Sequence, residues 1–258
     1  MDLGIAGLRV LVTAGAAGIG LGIARAFVRE GARVHVCDVD REALDTLKGS
    51  DPKLSRSVCD VADRDSVTRL FDVATAELAG LDVLVNNAGI AGPTGHVEEI
   101  HPEDWDRCLA VCLTGQFNCA RLAVPHLRQS KNASIVNLSS VAGKYGFNLR
   151  SPYAAAKWGV IGFTKSLAIE LGDAGIRVNA VLPGIVAGDR QRRVLEAKAQ
   201  QLGLSFSEME ARAFSFTSIK EYVTADQLAD QIVFLASPRG RTISGQAISV
   251  DGDTRMLG

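Results

Sequence analysis

Everything else in this 258-residue chain is arranged around Leu8-Arg9-Val10-Leu11-Val12-Thr13-Ala14-Gly15-Ala16-Ala17-Gly18-Ile19-Gly20-Leu21-Gly22-Ile23-Ala24-Arg25. Residues 10–24 carry no charge, which raises the question of a signal or membrane-spanning segment. The run falls short of the roughly 20 apolar residues a span needs. It is also rich in glycine and bracketed by Arg9 and Arg25. No charged leader precedes it and no convincing cleavage site follows. The pattern reads instead as a buried strand over 8–13, a glycine turn, and a helix over 18–30. A glycine cluster alone is weak evidence. Between a strand and a helix it marks a place where a dinucleotide pyrophosphate can be cradled. Glycine lets the backbone approach the phosphates, and the helix N-terminus offers free N–H groups and the positive end of its dipole. Gly15, Gly18, Ile19 and Gly20 are expected to form that cradle.

Outward from this unit the pattern repeats. Short runs dense in Val, Ile or Leu at 33–38, 54–59, 81–86, 133–139, 176–182 and 246–250 read as further strands. Their nearly continuous apolar character suits parallel strands covered on both faces. Helices are expected at 41–48, 63–78, 102–128, 152–171 and 224–235. Such alternation implies right-handed crossovers and a doubly wound α/β sheet. Asp38 ends the second strand, eighteen residues beyond Gly20. A carboxylate there can accept hydrogen bonds from both adenosine ribose hydroxyls and repels a 2′-phosphate. Ala16, Ala17 and Val39, where a cation would favour NADP, are not basic, so NAD is the expected cofactor. Cys59-Asp60-Val61 and Asn86-Asn87-Ala88-Gly89 fall at the ends of the third and fourth strands, on the edge of the sheet where ligands bind. Asp60 is placed to hold an adenine amino group, while the asparagine pair also fits a plain turn.

Tyr153 and Lys157 are four residues apart, and Ser140 lies thirteen residues upstream of the tyrosine. On a helix this spacing puts phenol and ammonium on one face. A cation beside a phenol favours its ionised form, and such a group exchanges a proton with an alcohol near neutral pH. Taken alone the pair is ordinary amphipathic spacing; its weight comes from the motifs around it. Ser151 before Pro152 reads as an N-cap followed by proline at the first helical position.

Composition narrows the class. A net charge of −1 gives no reason to expect nucleic acid or an anionic membrane as partner. The five cysteines are odd in number and never form Cys-x-x-Cys, which suits a reduced, cytoplasmic compartment. His35, His96, His101 and His126 show no metal-ligand spacing, and no catalytic metal is expected.

Taken together, the glycine turn, Asp60, Asn86-Asn87-Ala88-Gly89, Asn137-Leu138-Ser139-Ser140, Tyr153-x-x-x-Lys157, Asn179 and Pro183-Gly184 resemble the short-chain dehydrogenase/reductase family, essentially end to end. The resemblance implies one Rossmann-type domain over 1–258, a seven-stranded sheet of order 3-2-1-4-5-6-7, and commonly a homotetramer. It implies Tyr153 as acid/base, Lys157 as its electrostatic partner and ribose ligand, and Ser140, rather than the adjacent Ser139, as the donor to the substrate oxygen. The residues expected to hold the dinucleotide are Gly15, Gly18, Ile19, Gly20, Asp38, Asp60, Val61, Asn87, Ala88, Gly89, Gly184 and Ile185, with Tyr153 and Lys157. Two positions depart from the family pattern: Ala14 stands where its first glycine belongs, and Cys112 where it has a catalytic asparagine.

The expected reaction is oxidation of a secondary alcohol, or its reverse, on a small polar substrate such as a sugar, sugar acid or hydroxy acid. A 3-oxoacyl-type reductase and a catalytically impaired NAD-binding regulator are the alternatives. Residues 184–218, longer than a connection requires, read as a substrate lid with helical patches at 190–202 and 207–214, or as an extra packed helix pair. Pocket walls are expected from 92–97, 141–150 and 183–187, where Arg150 offers a cation to a carboxylate. The lid cations Arg190, Arg192 and Arg193 are nearly cancelled by Asp189, Glu196, Glu208 and Glu210, and read as a solvated face.

Overall fold

The computed structural model describes residues 2–257. Its centre is a seven-stranded sheet ordered β3-β2-β1-β4-β5-β6-β7, the arrangement implied by the resemblance. The strands are β1 (Arg9–Thr13), β2 (Arg33–Asp38), β3 (Leu54–Val58), β4 (Val83–Asn86), β5 (Ser134–Leu138), β6 (Arg177–Pro183) and β7 (Ala247–Val250). Every pairing is parallel, so the strands' carboxyl ends share one edge. The strand order reverses between β1 and β4, opening the crevice where ligands bind in such sheets.

Two apolar layers cover the sheet. On one face α1 (Gly18–Arg29) and α9 (Ala225–Ala236) pack together through residues including Ile23, Phe27, Leu228 and Ile232. They are joined there by Leu44 and Leu47 of α2 (Arg41–Ser50). On the other face lie α3 (Arg64–Leu78), α5 (Gly115–Leu127) and α6 (Ser151–Leu171), contributing Leu70, Phe71, Cys119, Ala123, Leu127 and Leu171. Gly22 on α1 faces Ala225, where a Cβ would stand 3.0 Å from the alanine's own, so the small residue permits the close α1–α9 approach.

Three expectations change. The single helix over 102–128 is helical throughout, but α4 (Pro102–Leu109) and α5 are joined by a π-helical turn, Ala110–Thr114. A π turn adds a residue to the local repeat, which periodicity does not reveal. The expected start of β4 is two residues early: the strand begins at Val83, although the Asp82 backbone already donates to the Arg9 carbonyl and accepts from the Ser134 N–H, and its carboxylate accepts from Arg9. Ser151 is not a cap: α6 begins at Ser151, Arg150 is the N-cap residue, and it makes no side-chain cap hydrogen bond. Its guanidinium reaches the Ala91 carbonyl instead.

Residues 184–218 form α7 (Asp189–Leu202) and α8 (Phe206–Ser215). The two share a small core of Leu195, Ala199 and Met209, and a Ser205–Glu208 capping box starts α8. The insertion is thus a packed helix pair, and the start of α7 also walls the central cavity. Among the described residues, no helix is long and apolar enough to cross a membrane.

Candidate active site

A cavity of about 610 Å³ runs along the carboxyl edge of the sheet. Asp38, Ala14 and Gly18–Gly20 lie on its wall, as do Ser140, Tyr153 and Lys157. The glycine turn is built as its chemistry requires. A Cβ on Gly20 would fall on the Ala14 carbonyl oxygen, and one on Gly15 would stand 2.7 Å from Val36. Ala14 adopts φ 51°, a left-handed conformation that costs an alanine about 1–2 kcal/mol. The β4 motif holds it there. Asn87 Nδ2 donates to the carbonyls of Thr13 and Ala14, both at 3.0 Å, while the N–H groups of Asn87 and Ala88 donate to Thr13 Oγ1. Asn87 is therefore a staple between β1 and β4 rather than part of a plain turn, while Asn86 Nδ2 donates to Asn137 Oδ1 on β5 at 2.9 Å.

Asp38 sits at the end of β2, where its carboxylate accepts from the N–H groups of Ala16 and Asp40, both at 3.2 Å. Asn87, Gly89, Gly184 and Ile185 also line the cavity. Gly15, Asp60, Val61 and Ala88 do not. Gly15 packs beneath the turn against Val36, and the Val61 carbonyl accepts from Asn118 Nδ2. The Asp60 carboxylate accepts from Arg107 and from the Ala62 N–H, each at 2.9 Å. The cradle, the open carboxylate at one end and the crevice between them fit a dinucleotide.

On the far side, the end of β5 and the start of α6 position Ser140, Tyr153 and Lys157. Ser140 Oγ accepts from the Ala142 N–H at 3.1 Å, which fixes the hydroxyl and leaves its proton free to donate. Ser139 Oγ donates instead to the Lys157 carbonyl at 2.8 Å, tying β5 to α6 away from the chemistry. Lys157 is 2 % exposed; its ammonium donates to the Leu138 carbonyl at 2.8 Å and lies 5.6 Å from the centre of the Tyr153 ring. Leu138 is a partner that sequence reasoning missed, because a carbonyl leaves no residue signature.

Cys112 lies in the π turn. Its Sγ accepts from the Ile90 N–H at 3.3 Å and its thiol faces the Ile90 carbonyl at 3.4 Å. A hydrogen bond from Cys108, the Lys157 ammonium and the Ile90 N–H together hold this thiol below its ordinary value, against burial. The Cys108 thiol is pushed up by the same pairing and by burial.

Arg150, Arg190, Arg193, Val194 and Leu257 complete the wall. Arg190 of α7 donates to the Gly89 carbonyl at 3.0 Å, so an arginine that read as part of a solvated face is anchored at the site. Leu257 arrives through a bridge to Phe147, a long-range contact with no sequence signal.

The chain is similar to known proteins along most of its length. A family model described as enoyl-(acyl carrier protein) reductase matches residues 14–253. The 3-oxoacyl-[acyl-carrier-protein] reductase FabG of Thermotoga maritima is 37 % identical over 94 % of this chain and 95 % of its own. The D-beta-hydroxybutyrate dehydrogenase of Cupriavidus necator is 33 % identical over 95 % and 97 %. Among solved structures, a variant of actinorhodin polyketide ketoreductase with NADPH superposes with a TM-score of 0.90 at 34 % identity, covering 98 % of both chains.

Proposed function

Because the chain belongs to the short-chain dehydrogenase/reductase family, a family of NAD(P)-dependent oxidoreductases, we propose that it interconverts a secondary alcohol and a ketone on a small polar substrate, with NAD as the preferred cofactor. The observation that carries this reading is the sharing of one cavity by Asp38, the glycine turn, Ser140, Tyr153 and Lys157.

Each residue has a task its surroundings support. The Ser140 hydroxyl, fixed by the Ala142 N–H, donates to the reacting oxygen. Tyr153 takes the alcohol proton in oxidation and returns it in reduction. Lys157 spends one of its three N–H donors on Leu138, leaving two for the tyrosine oxygen and a ribose hydroxyl. The dinucleotide, when bound, accepts or returns the hydride, and the protein supplies position and electrostatics. Gly18, Ile19, Gly20, Asn87, Gly89, Gly184 and Ile185 line the cavity and are placed to meet the dinucleotide, whereas Gly15, Asp60, Val61 and Ala88 lie off its wall and are assigned to the cofactor by sequence pattern and family resemblance alone.

Asp38 supports NAD although one similar structure holds NADPH. The carboxylate stands where a 2′-phosphate would need a cation, and Ala16, Ala17 and Val39 supply none. A 3-oxoacyl-type reduction is the second reading, favoured by the name of the Thermotoga maritima relative. A regulator without catalysis is disfavoured by the shared placement of Ser140, Tyr153 and Lys157 on one cavity wall.

Alcohol-dependent NADH formation tests the proposal. Tyr153→Phe should reduce kcat by at least about 100-fold while NADH fluorescence titration shows the cofactor still bound. Turnover undiminished by the substitution would overturn the assignment.

A further inference from the structure

Arg150 is 2 % exposed, yet only one of its three nitrogens has an acceptor among the described residues. Nη2 donates to the Ala91 carbonyl; Nε and Nη1 are shielded from solvent and donate to nothing described. The guanidinium carbon lies 5.3 Å from the centre of the Phe147 ring and 5.2 Å from that of Tyr153. Ring contacts stabilise a cation but do not satisfy its N–H donors. A buried charge with orphaned donors is costly, and native proteins keep one where a partner arrives from outside.

The neighbourhood is short of carboxylates. Arg150, Lys157, Arg190 and Arg193 line the cavity, and the only acids on its wall are Asp38, at the glycine-turn end, and Asp189. A smaller compartment of about 370 Å³ adjoins it, bounded by Gly89–Gly92, Thr94 and the lid residues Arg190 and Arg193, with no acid on its wall. Burial, the largest cause, lowers the proton affinity of Arg150, and Arg190 lowers it further against the opposing pull of Tyr153, Cys108 and Cys112.

We propose that Arg150 is the anion receptor of the substrate site, taking a terminal carboxylate or sulfonate carried a few bonds from the reacting carbinol, so that the substrates are short hydroxy acids and the matching keto acids. The inference rests on the proposed oxidoreductase function and narrows its substrate class. The length limit follows from the contact with Tyr153. The tyrosine hydroxyl is only a ring radius and one C–O bond beyond the point that is 5.2 Å from the guanidinium carbon, so anion and carbinol belong to one short molecule. The planar fork of arginine suits a carboxylate in two-point contact. A turn about the side-chain torsions of Arg150 or Phe147 is needed to present the shielded donors to the cavity that both residues line. The competing role, a cation that only steadies Tyr153, makes a different kinetic prediction.

Initial rates at saturating NAD on racemic 3-hydroxybutyrate, racemic 2-hydroxypropane-1-sulfonate and methyl 3-hydroxybutyrate test the assignment. At least one anion should exceed the ester in kcat/KM by about 30-fold or more, chiefly through KM. That ratio should collapse toward unity in Arg150→Met and be partly kept in Arg150→Lys. The better anion identifies carboxylate or sulfonate as the natural group. An ester used as well as both acids leaves the oxidoreductase reading intact and overturns the receptor. Equal losses on acid and ester in Arg150→Met assign the residue to Tyr153 and overturn it too. Should none of the three turn over, thermal unfolding of the NADH-bound protein at constant ionic strength decides. A midpoint raised by an anion, not by the ester, and not in Arg150→Met supports the receptor; no rise with either anion overturns it.

Discussion

Cys112 stands where the family resemblance implies a catalytic asparagine. Where an asparagine would present an amide NH2 and a carbonyl oxygen, the Cys112 thiol accepts from the Ile90 N–H at 3.3 Å and donates toward its carbonyl at 3.4 Å. The family resemblance implies a proton relay that reaches Lys157 past this asparagine position; if that relay draws on the side chain, Cys112→Asn should raise kcat by up to about tenfold and shift its pH profile. Identical kcat and identical profile would show that the backbone of the π turn suffices. Asp38 makes a sharper test of cofactor choice. Asp38→Asn combined with Val39→Arg removes the repulsion toward a 2′-phosphate and supplies a cation, so the ratio of kcat/KM for NAD over NADP should fall by about 100-fold or more. An unchanged ratio would assign the discrimination elsewhere in the cavity. Both residues were legible as letters in sequence. Their hydrogen-bond partners, Ile90 and the Ala16 and Asp40 amides, were not, because backbone groups have no residue identity.

At the scale of elements, the strands and helices covering the sheet were readable because burial on both faces imposes continuous apolar runs. The readings failed at element ends and irregularities: at Ser151, where Arg150 takes the cap position, and at the π turn, which periodicity does not reveal. β2 carries one feature that its apolar pattern obscures. His35 is buried in the sheet, its Nδ1 2.8 Å from Ser55 Oγ and 3.1 Å from Glu77, and its Nε2 2.9 Å from Ser57 Oγ. Burial lowers its pKa more than the Glu77 carboxylate raises it. As pH falls below about 6.5 the unfolded chain takes up a proton that the fold resists. Stability from this site is therefore complete above that value and is lost below it. The urea midpoint should fall less between about pH 7.5 and about pH 5.5 in His35→Asn than in the parent protein, the window set by the ordinary histidine value. Parallel falls would place the acid sensitivity in other groups.

For the molecule as a whole, α4, α5 and α6 leave Trp105, Phe117 and Trp158 between 36 % and 52 % exposed, with Phe117 edge-on to Phe163 at 6.4 Å. Large apolar groups at such exposure on neighbouring helices suit an interface, and the family resemblance pairs these helices across a two-fold axis. Light scattering should find a tetramer, and Phe117→Asp with Trp158→Arg should reduce it to dimers or monomers; an assembly indifferent to both changes would move the interface elsewhere. What the chain's order of residues determined alone was the layered α/β architecture, the glycine turn and the spacing that proposes Ser140, Tyr153 and Lys157 as the reactive groups. Those follow from local periodicity, from glycine's freedom and from fixed spacing along a helix. Only the tertiary structure decided that Asn87 staples the turn, that Arg190 anchors at Gly89, that Leu257 returns to the cavity, and that Arg150 is buried with unanswered donors. Each of these depends on groups far apart in the chain meeting in space, and on which donors and acceptors burial leaves unmatched once they have met.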